Sequence, residues 1–438
     1  MTRVGDLIDR IGMGRFQRRL LVACGASWAA DAMEVLLIGF ALPSLMSDWN
    51  LARPQAGLLV SALFLGMLAG AWFWGTFSDF TGRRLSFLAT IGVDSIFGLA
   101  SAFSPDFNVL IILRFLTGFG VGGSLPVDYA VFSEFMPTAK RGRWLVYLES
   151  FWALGTILAA CLAWLVVPLF PKIGWRYMLA ASALPGLLVF WLRRTVPESP
   201  RHLMLKGREA EARAVLEGIA RMNGSTLEIG PLAPEPAVQR LPPATLIRKG
   251  YLKSTVMATA VWFLLSLGYY GLFTWLPGIF RAQGFSFLAT YQNTLILALA
   301  QIPGYFSAAW LVERWGRVKT LGAFLLGGAV GTYLFAVTRD QTLIVVFSAL
   351  MSFFALGAWG VVYAYTPELY PTSARGTGMG WAGGVARIAG VVAPMLGAFL
   401  MGWDLTLALT VYAASFALAG LTVFGLGRET MGRQLEEG

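Results

Sequence analysis

Charge and histidine are scarce in this chain of 438 residues, and each shortage removes a class of protein. Charged residues make up 13% of the sequence and hydrophobic residues 57%, about half the charged share of a soluble domain. A water-soluble fold is excluded. The single histidine, His202, leaves no histidine-based metal site or proton relay. Neither a metal nor any other cofactor is expected, because no cluster of ligating side chains occurs. Both cysteines, Cys24 and Cys161, fall inside apolar runs, so no disulfide framework is implied. Short segments of alternating polarity are also missing, which argues against a transmembrane barrel. No nucleophile stands beside a base and no phosphate-binding glycine loop follows a strand. An enzyme is not expected.

What the chain has instead is long apolar runs. They predict helices near 20–46, 55–78, 85–103, 108–135, 144–170 and 175–194, then near 254–280, 287–311, 320–338, 342–366, 377–402 and 405–427. A span takes about 20 residues, so twelve use roughly 240. The fold class is therefore all-α, a polytopic membrane protein of twelve transmembrane helices in two six-helix halves. Residues 1–19 form an N-terminal segment, 20–194 the first bundle, 195–252 a linker, 253–427 the second bundle and 428–438 a tail.

The first 19 residues are basic and the run after them is too long for a cleaved leader. Val4–Phe16 has Leu7, Ile8 and Ile11 on one side, and His202–Met222 is amphipathic. Both are expected to lie on the membrane surface. Pro231, Pro234, Pro236, Pro242 and Pro243 mark the linker beyond.

Of 34 Lys and Arg residues, only Arg53, Lys172, Arg176, Arg281 and Arg339 fall in one set of loops. Arg114 and Arg387 lie inside helices, and the rest belong to the opposite loops and the termini. The positive-inside rule then places both termini in the cytoplasm. The net charge of +10 is a topology signal and a contact for lipid headgroups, with no nucleic-acid partner implied.

Two loops recur at a single offset. Gly75-x-x-x-Asp79-x-x-Gly82-Arg83-Arg84 is matched by Glu313-Arg-Trp-Gly316-Arg317. Glu134-Phe-Met-Pro137-Thr138-Ala-Lys-Arg141-Gly142 is matched by Glu368-Leu-Tyr-Pro371-Thr372-Ser-Ala-Arg375-Gly376. Arg83 and Arg317 are 234 positions apart, as are Glu134 and Glu368. Such a tandem duplication is the architecture of a secondary transporter. Asp79, Arg83, Glu134, Arg141, Glu313, Arg317, Glu368 and Arg375 are expected to pair across the halves when that side is shut. The alternative is that they only set topology and cap helices.

With these loops the chain resembles the major facilitator superfamily over its full length. Pro197-Glu198-Ser199-Pro200-Arg201 and Pro367-Glu368-Leu-Tyr-Pro371-Thr372 resemble its sugar-porter and organic-ion branch. Gly14-Arg15-Phe16-Gln17 with Trp28-Ala-Ala-Asp31-Ala-Met is most similar to the bacterial group related to synaptic vesicle glycoprotein 2, which includes nicotinate transporters and aromatic-acid proton symporters. The resemblance implies the major facilitator fold, alternating access, a monomer and residence in the inner membrane. Val261-Trp-Phe-Leu-Leu-Ser-Leu-Gly-Tyr269-Tyr270 lacks the paired glutamines with which sugar porters hold hydroxyls.

Ionisable residues within spans cost about 2.5–3.5 kcal/mol on insertion scales, so each needs a reason. Arg387 falls near the midplane of helix 11 among Gly383, Gly384, Ala386, Ala389 and Gly390. Its fork matches a carboxylate, although a fixed ion pair with another helix is the alternative. The resemblance implies that Asp31 pairs with Arg114, which opens Arg114-x-x-x-Gly118-x-Gly120-x-Gly122, as a proton switch. Glu34, one turn on, is second in line. Asp94, Asp128 and Glu149 are read as a separate network nearer the cytoplasm. Trp28, Tyr269, Tyr270, Trp359, Tyr363 and Trp381 lie on helices that line the cavity in this superfamily, with Gln301 a donor to a ring nitrogen or hydroxyl. The resulting expectation is proton-coupled import of an aromatic monocarboxylate, best nicotinate. A sugar or polyol symporter, a metabolite exporter and a non-transporting receptor or scaffold are the alternatives.

Overall fold

The computed structural model describes residues 2–138, 141–193, 196–234, 246–248, 250–370 and 372–431, without the side chains of 79, 125, 126, 130, 141–143, 146, 185, 188–193, 372 and 373. The expected prolines Pro236, Pro242 and Pro243 and tail positions 432–438 lie outside the described residues. So do the side chains of Asp79 and Arg141. The described chain is helical, and its one extended pairing is a bridge between Thr2 and Leu232.

The first half holds α2 (Arg15–Trp49), α3 (Arg53–Thr81), α4 (Arg83–Ser101), α5 (Phe107–Glu134), a fifth span divided into α6 (Arg141–Glu149) and α7 (Phe151–Val166), and α8 (Gly174–Arg193). The second holds α11 (Leu252–Ala282), α12 (Phe287–Trp315), α13 (Arg317–Val337), α14 (Gln341–Glu368), α15 (Thr372–Trp403) and α16 (Leu405–Leu426). Eleven spans are long and apolar enough to cross a membrane by length and composition, and α8 stands in the sixth position. The fold class expected from the sequence is the one found.

The helix neighbours repeat. In the first half α3 packs on α5, α5 on α4, α2 on α7, α4 on α8 and α2 on α8. In the second, α12 packs on α14, α14 on α13, α11 on α15, α13 on α16 and α11 on α16. Each of the five pairs has its counterpart, so the duplication seen in two loops extends to the whole packing. Across the halves α3 meets α15, α7 meets α12 and α2 meets α11.

The repeated loops have a local cause. Gly82 and Gly316 break the chain between α3 and α4 and between α12 and α13, with φ of 100° and 85°, a region that favours glycine. A carboxylate then sits on each new helix start. Glu198 accepts from the Arg83 N–H at 2.9 Å and the Arg84 N–H at 3.2 Å. Glu429 accepts from the Arg317 N–H at 2.9 Å and the Val318 N–H at 3.1 Å. An anion there satisfies free N–H groups and meets the positive end of the helix dipole. At the opposite end, Asp106, Asp340 and Asp404 cap α5, α14 and α16.

The apolar stripes of the amphipathic segments pack on protein. α1 (Val4–Ile11) buries Val4, Leu7, Ile8 and Ile11 in one cluster with Leu203 of α9 (Pro200–Leu205) and Leu216 and Ile219 of α10 (Glu209–Asn223). Two apolar stripes facing each other remove more surface from water than either alone on a headgroup layer. Asn223 fastens this layer to α2. It accepts from the Phe16 N–H at 3.0 Å and donates to Gln17 at 2.9 Å.

Among the described residues, hydrogen bonds join the halves at mid-depth and toward the end away from the termini. Arg53 donates to the Met401 carbonyl at 2.6 Å, Ser61 to the Val391 carbonyl at 2.7 Å and Tyr291 to the Phe40 carbonyl at 3.0 Å. Gly39 lets two backbones come close across the halves. A Cβ there would stand 2.9 Å from the Thr274 backbone. That end is closed.

Candidate functional site

Helical spacing assembles an aromatic box between the halves. Trp359 and Tyr363 are four apart on α14 and Glu149 and Trp152 three apart across the α6–α7 junction, so each pair shares a face. With Trp28 of α2, Tyr269 and Tyr270 of α11, Leu356 and Arg387, they line a central cavity of about 10 Å³, room for about one water. The rings touch in series. Centroids are 5.4 Å apart for Trp28 and Trp152, 5.6 Å for Trp28 and Tyr129, and 6.3 Å for stacked Tyr129 and Tyr363. Trp359 continues the chain to Tyr363 at 5.8 Å and Tyr269 at 5.9 Å. These separations suit edge and offset packing.

Arg387 stands at the middle of α15, 5% exposed. Its Nε has no hydrogen-bond partner and it joins no ion pair among the described residues. Tyr363 is its neighbour. A buried, under-satisfied guanidinium facing a cavity has donors to offer an anion. Gln301, fully buried near Tyr269, likewise has both amide atoms unpartnered.

Six of the eight residues expected to bind substrate, Arg387, Tyr269, Tyr270, Trp359, Tyr363 and Trp28, thus line one cavity. Trp381 does not. It is 44% exposed and donates to Thr259 at 2.8 Å. Six residues at 3.6 per turn carry it about 120° around α15 from Arg387, so the right helix presents the wrong face.

Glu149 was the residue whose place the sequence misread. It lines the same cavity as Arg387 instead of a separate network. Tyr129 donates to its Oε2 and Tyr305 to its Oε1, the latter at 3.3 Å. Because Tyr305 comes from the other half, this carboxylate is part of the floor between the bundles. Asp94 and Asp128 are buried elsewhere. A buried acid one turn from a tryptophan was the available signal, but its hydrogen-bond partners come from two other helices, α5 and α12.

The expected Asp31–Arg114 pair is replaced by Glu34–Arg114, at 3.2 Å with 1% and 0% exposure. Arg114 also donates to Ser101 at 2.7 Å and Thr117 at 3.0 Å, and Ser182 donates to Glu34 at 2.9 Å. The reason is register. Arg114 lies in the first turns of α5, at the end away from the termini, so it meets the acid lying further along α2. Asp31 is buried at 2% and makes other contacts.

The loop charges pair inside the halves. Arg83 bonds Glu134 at 3.4 Å, and Arg317 grips Glu368 with two bonds of 2.9 Å. Glu313, 72% exposed, reaches Arg317 only at 3.9 Å. Arg375 donates to the Pro367 carbonyl at 3.1 Å. Repeated motifs supply both members of each pair to one half, which is why the described bridges need no partner across the axis.

Comparison with known proteins agrees with this arrangement. The family profile described as Sugar (and other) transporter matches residues 22–438. The chain is 38% identical to the niacin transporter NiaP of Acinetobacter baylyi, over 98% of this chain and 99% of that protein. It is 36% identical to the putative niacin/nicotinamide transporter NiaP of Bacillus subtilis, over 96% and 98%. The synaptic vesicle 2-related protein of Rattus norvegicus is 31% identical, over 99% and 82%. The partially occluded inward open conformation of the xylose transporter XylE from E. coli superposes with a TM-score of 0.75 at 19% identity, covering 96% of this chain and 99% of that one. A major facilitator superfamily proton:xylose symporter structure gives 0.74 at 20%, covering 96% and 98%. The chain belongs to the sugar (and other) transporter family of the major facilitator superfamily, and is a multi-pass membrane transporter with no enzymatic chemistry of its own.

Proposed function

We propose that this transporter imports a small aromatic or heterocyclic monocarboxylate, nicotinate first among them, together with a proton. The observation that carries the reading is Arg387, buried at the cavity wall with an unpartnered Nε. The guanidinium takes the carboxylate, the rings of Trp28, Tyr269 and Trp359 take the flat face, and Gln301 is within the same layer to meet a ring nitrogen. α15 supplies the charge of Arg387, and α11 carries Tyr269 and Tyr270 in place of paired glutamines. The relatives named for niacin support the same class.

Symport has a physical motive. Moving a monovalent anion into a negative-inside compartment costs about 2.3 kcal/mol per 100 mV, and one accompanying proton cancels that charge movement. The basic loops and termini lie on the cytoplasmic side of an inner membrane in this reading, with the carrier acting as a monomer. The test is counterflow of radiolabelled nicotinate in proteoliposomes, with benzoate and xylose as competitors. Exchange inhibited by benzoate and not by xylose is expected. No exchange with either carboxylate sinks the reading.

A further inference from the structure

Three buried acids stand near the transport path, and their settings differ. Glu34 is held by Arg114 and Ser182 inside the first half and does not line the cavity. Asp31 on α2 does not line it either. Glu149 faces the cavity, shares it with Arg387, and accepts from the phenols of Tyr129 and Tyr305. With both Arg387 and Glu149 ionised, the cavity carries no net charge and gives a monovalent anion little reason to enter. With Glu149 protonated it carries +1.

We propose that Glu149 is the site at which the coupling proton rides, and that an anionic substrate binds to the form in which its carboxyl is protonated. This rests on the proposed carboxylate substrate. A solvent proton joins a Glu149 carboxylate oxygen on the loading side and leaves it on the release side, so anion and proton travel as a neutral pair. The groups facing Glu149 allow both states. Tyr129 of α5 and Tyr305 of α12 donate to the carboxylate, and a phenol oxygen can equally accept from the acid. Arg387 of α15, Tyr363 of α14, Tyr270 of α11 and the Trp28 indole of α2 complete the shell. An ionised Glu149 and an anionic substrate would compete for the one guanidinium of Arg387, and a proton on the acid leaves Arg387 to the substrate. Substrate and proton thereby assist each other's binding, as linkage requires.

The experiment is nicotinate binding to the purified full-length carrier in detergent across pH, with proton uptake followed by an indicator dye in weak buffer. Wild type is expected to take up one proton per nicotinate bound at the alkaline end. Its affinity should fall about tenfold per pH unit once Glu149 titrates. Glu149→Gln should take up none and bind with an affinity independent of pH; in vesicles it should exchange nicotinate but not accumulate it against a gradient. Tyr305→Phe, which removes one donor to the ionised form, should move the break in the binding curve to higher pH. That variant decides the matter if Glu149→Gln does not fold. Proton uptake undiminished in Glu149→Gln, or an unmoved break in Tyr305→Phe, overturns the role of Glu149 alone. No nicotinate binding by wild type at any pH overturns the substrate reading beneath it.

Discussion

The two halves share a scaffold and divide the chemistry. Every major helix pair in one has its counterpart in the other, and the loop arginine, loop glutamate and capping carboxylate recur in both. Yet where the first half buries Glu34 and Arg114, the second has Gly268 and Ser348 at the positions 234 further on. Where the second half carries Arg387, the first has Ala153. Duplication preserves what the bilayer demands of every span, namely apolar length, caps and turns. The charges that act on a solute are free to diverge. In this division the second half carries Arg387 and most of the aromatic lining of the cavity, while the first supplies Glu149 across from it.

The sharpest way to break that division is to remove its charges one at a time. Arg387→Ala should weaken carboxylate binding by about thirtyfold or more, measured by equilibrium binding of labelled nicotinate, since losing a desolvated charge partner costs about 2–5 kcal/mol. Unchanged affinity would return anion recognition to other residues. Next in size is the buried staple of the first half. Arg114→Leu should destabilise the purified protein by about 3–5 kcal/mol because it leaves Glu34 buried and unpaired. Glu34→Gln with Arg114→Leu together should recover much of the loss in a thermal melt. Ser348→Ala at the matching place should barely register.

Smaller effects test the shared loops. A double-mutant cycle should give the Arg317–Glu368 pair, joined by two bonds of 2.9 Å, a larger coupling than the Arg83–Glu134 pair, which meets at 3.4 Å. Both pairs are partly exposed, so the difference should be under about 1 kcal/mol in matched melts. Equal couplings would say that the closer geometry adds nothing.

The smallest effect concerns Glu429. Burial alone would raise its carboxyl, but the N–H groups of Arg317, Met431, Val318 and Thr430 hold it below the usual carboxylate range. A lowered native value contributes stability that is full above the unfolded value and lost as pH falls through the native one. Hydrogen exchange around 427–431 should therefore rise only in acid below the ordinary carboxylate range. Glu429→Gln should show that fast exchange already at neutral pH.

Much of this was legible from residue order because it depends on local pattern. Apolar length gave the spans, glycine beside arginine gave the breaks at Gly82 and Gly316, and a lone arginine among small residues marked Arg387. Side-chain facing was less accessible. Trp381 and Arg387 share a helix, and only the angle between them separates a surface ring from a cavity wall. Glu149 escaped for a different reason. Its partners, Tyr129 and Tyr305, are 20 and 156 positions away, and nothing in a linear pattern ties a phenol to a particular acid at that distance. Register between antiparallel helices also decided Glu34 over Asp31.

The near-absence of room inside the aromatic box bears on the journey made without cargo. A vacancy wide enough for a pyridine ring acid would cost the empty carrier the contacts that the rings otherwise make with one another. Rings that lean on one another once the solute departs avoid that burden. On the proposed function, the residues that greet the passenger thus let the vehicle go back unladen, and a bulky competitor that wedged them apart would stall the return leg as well as the delivery.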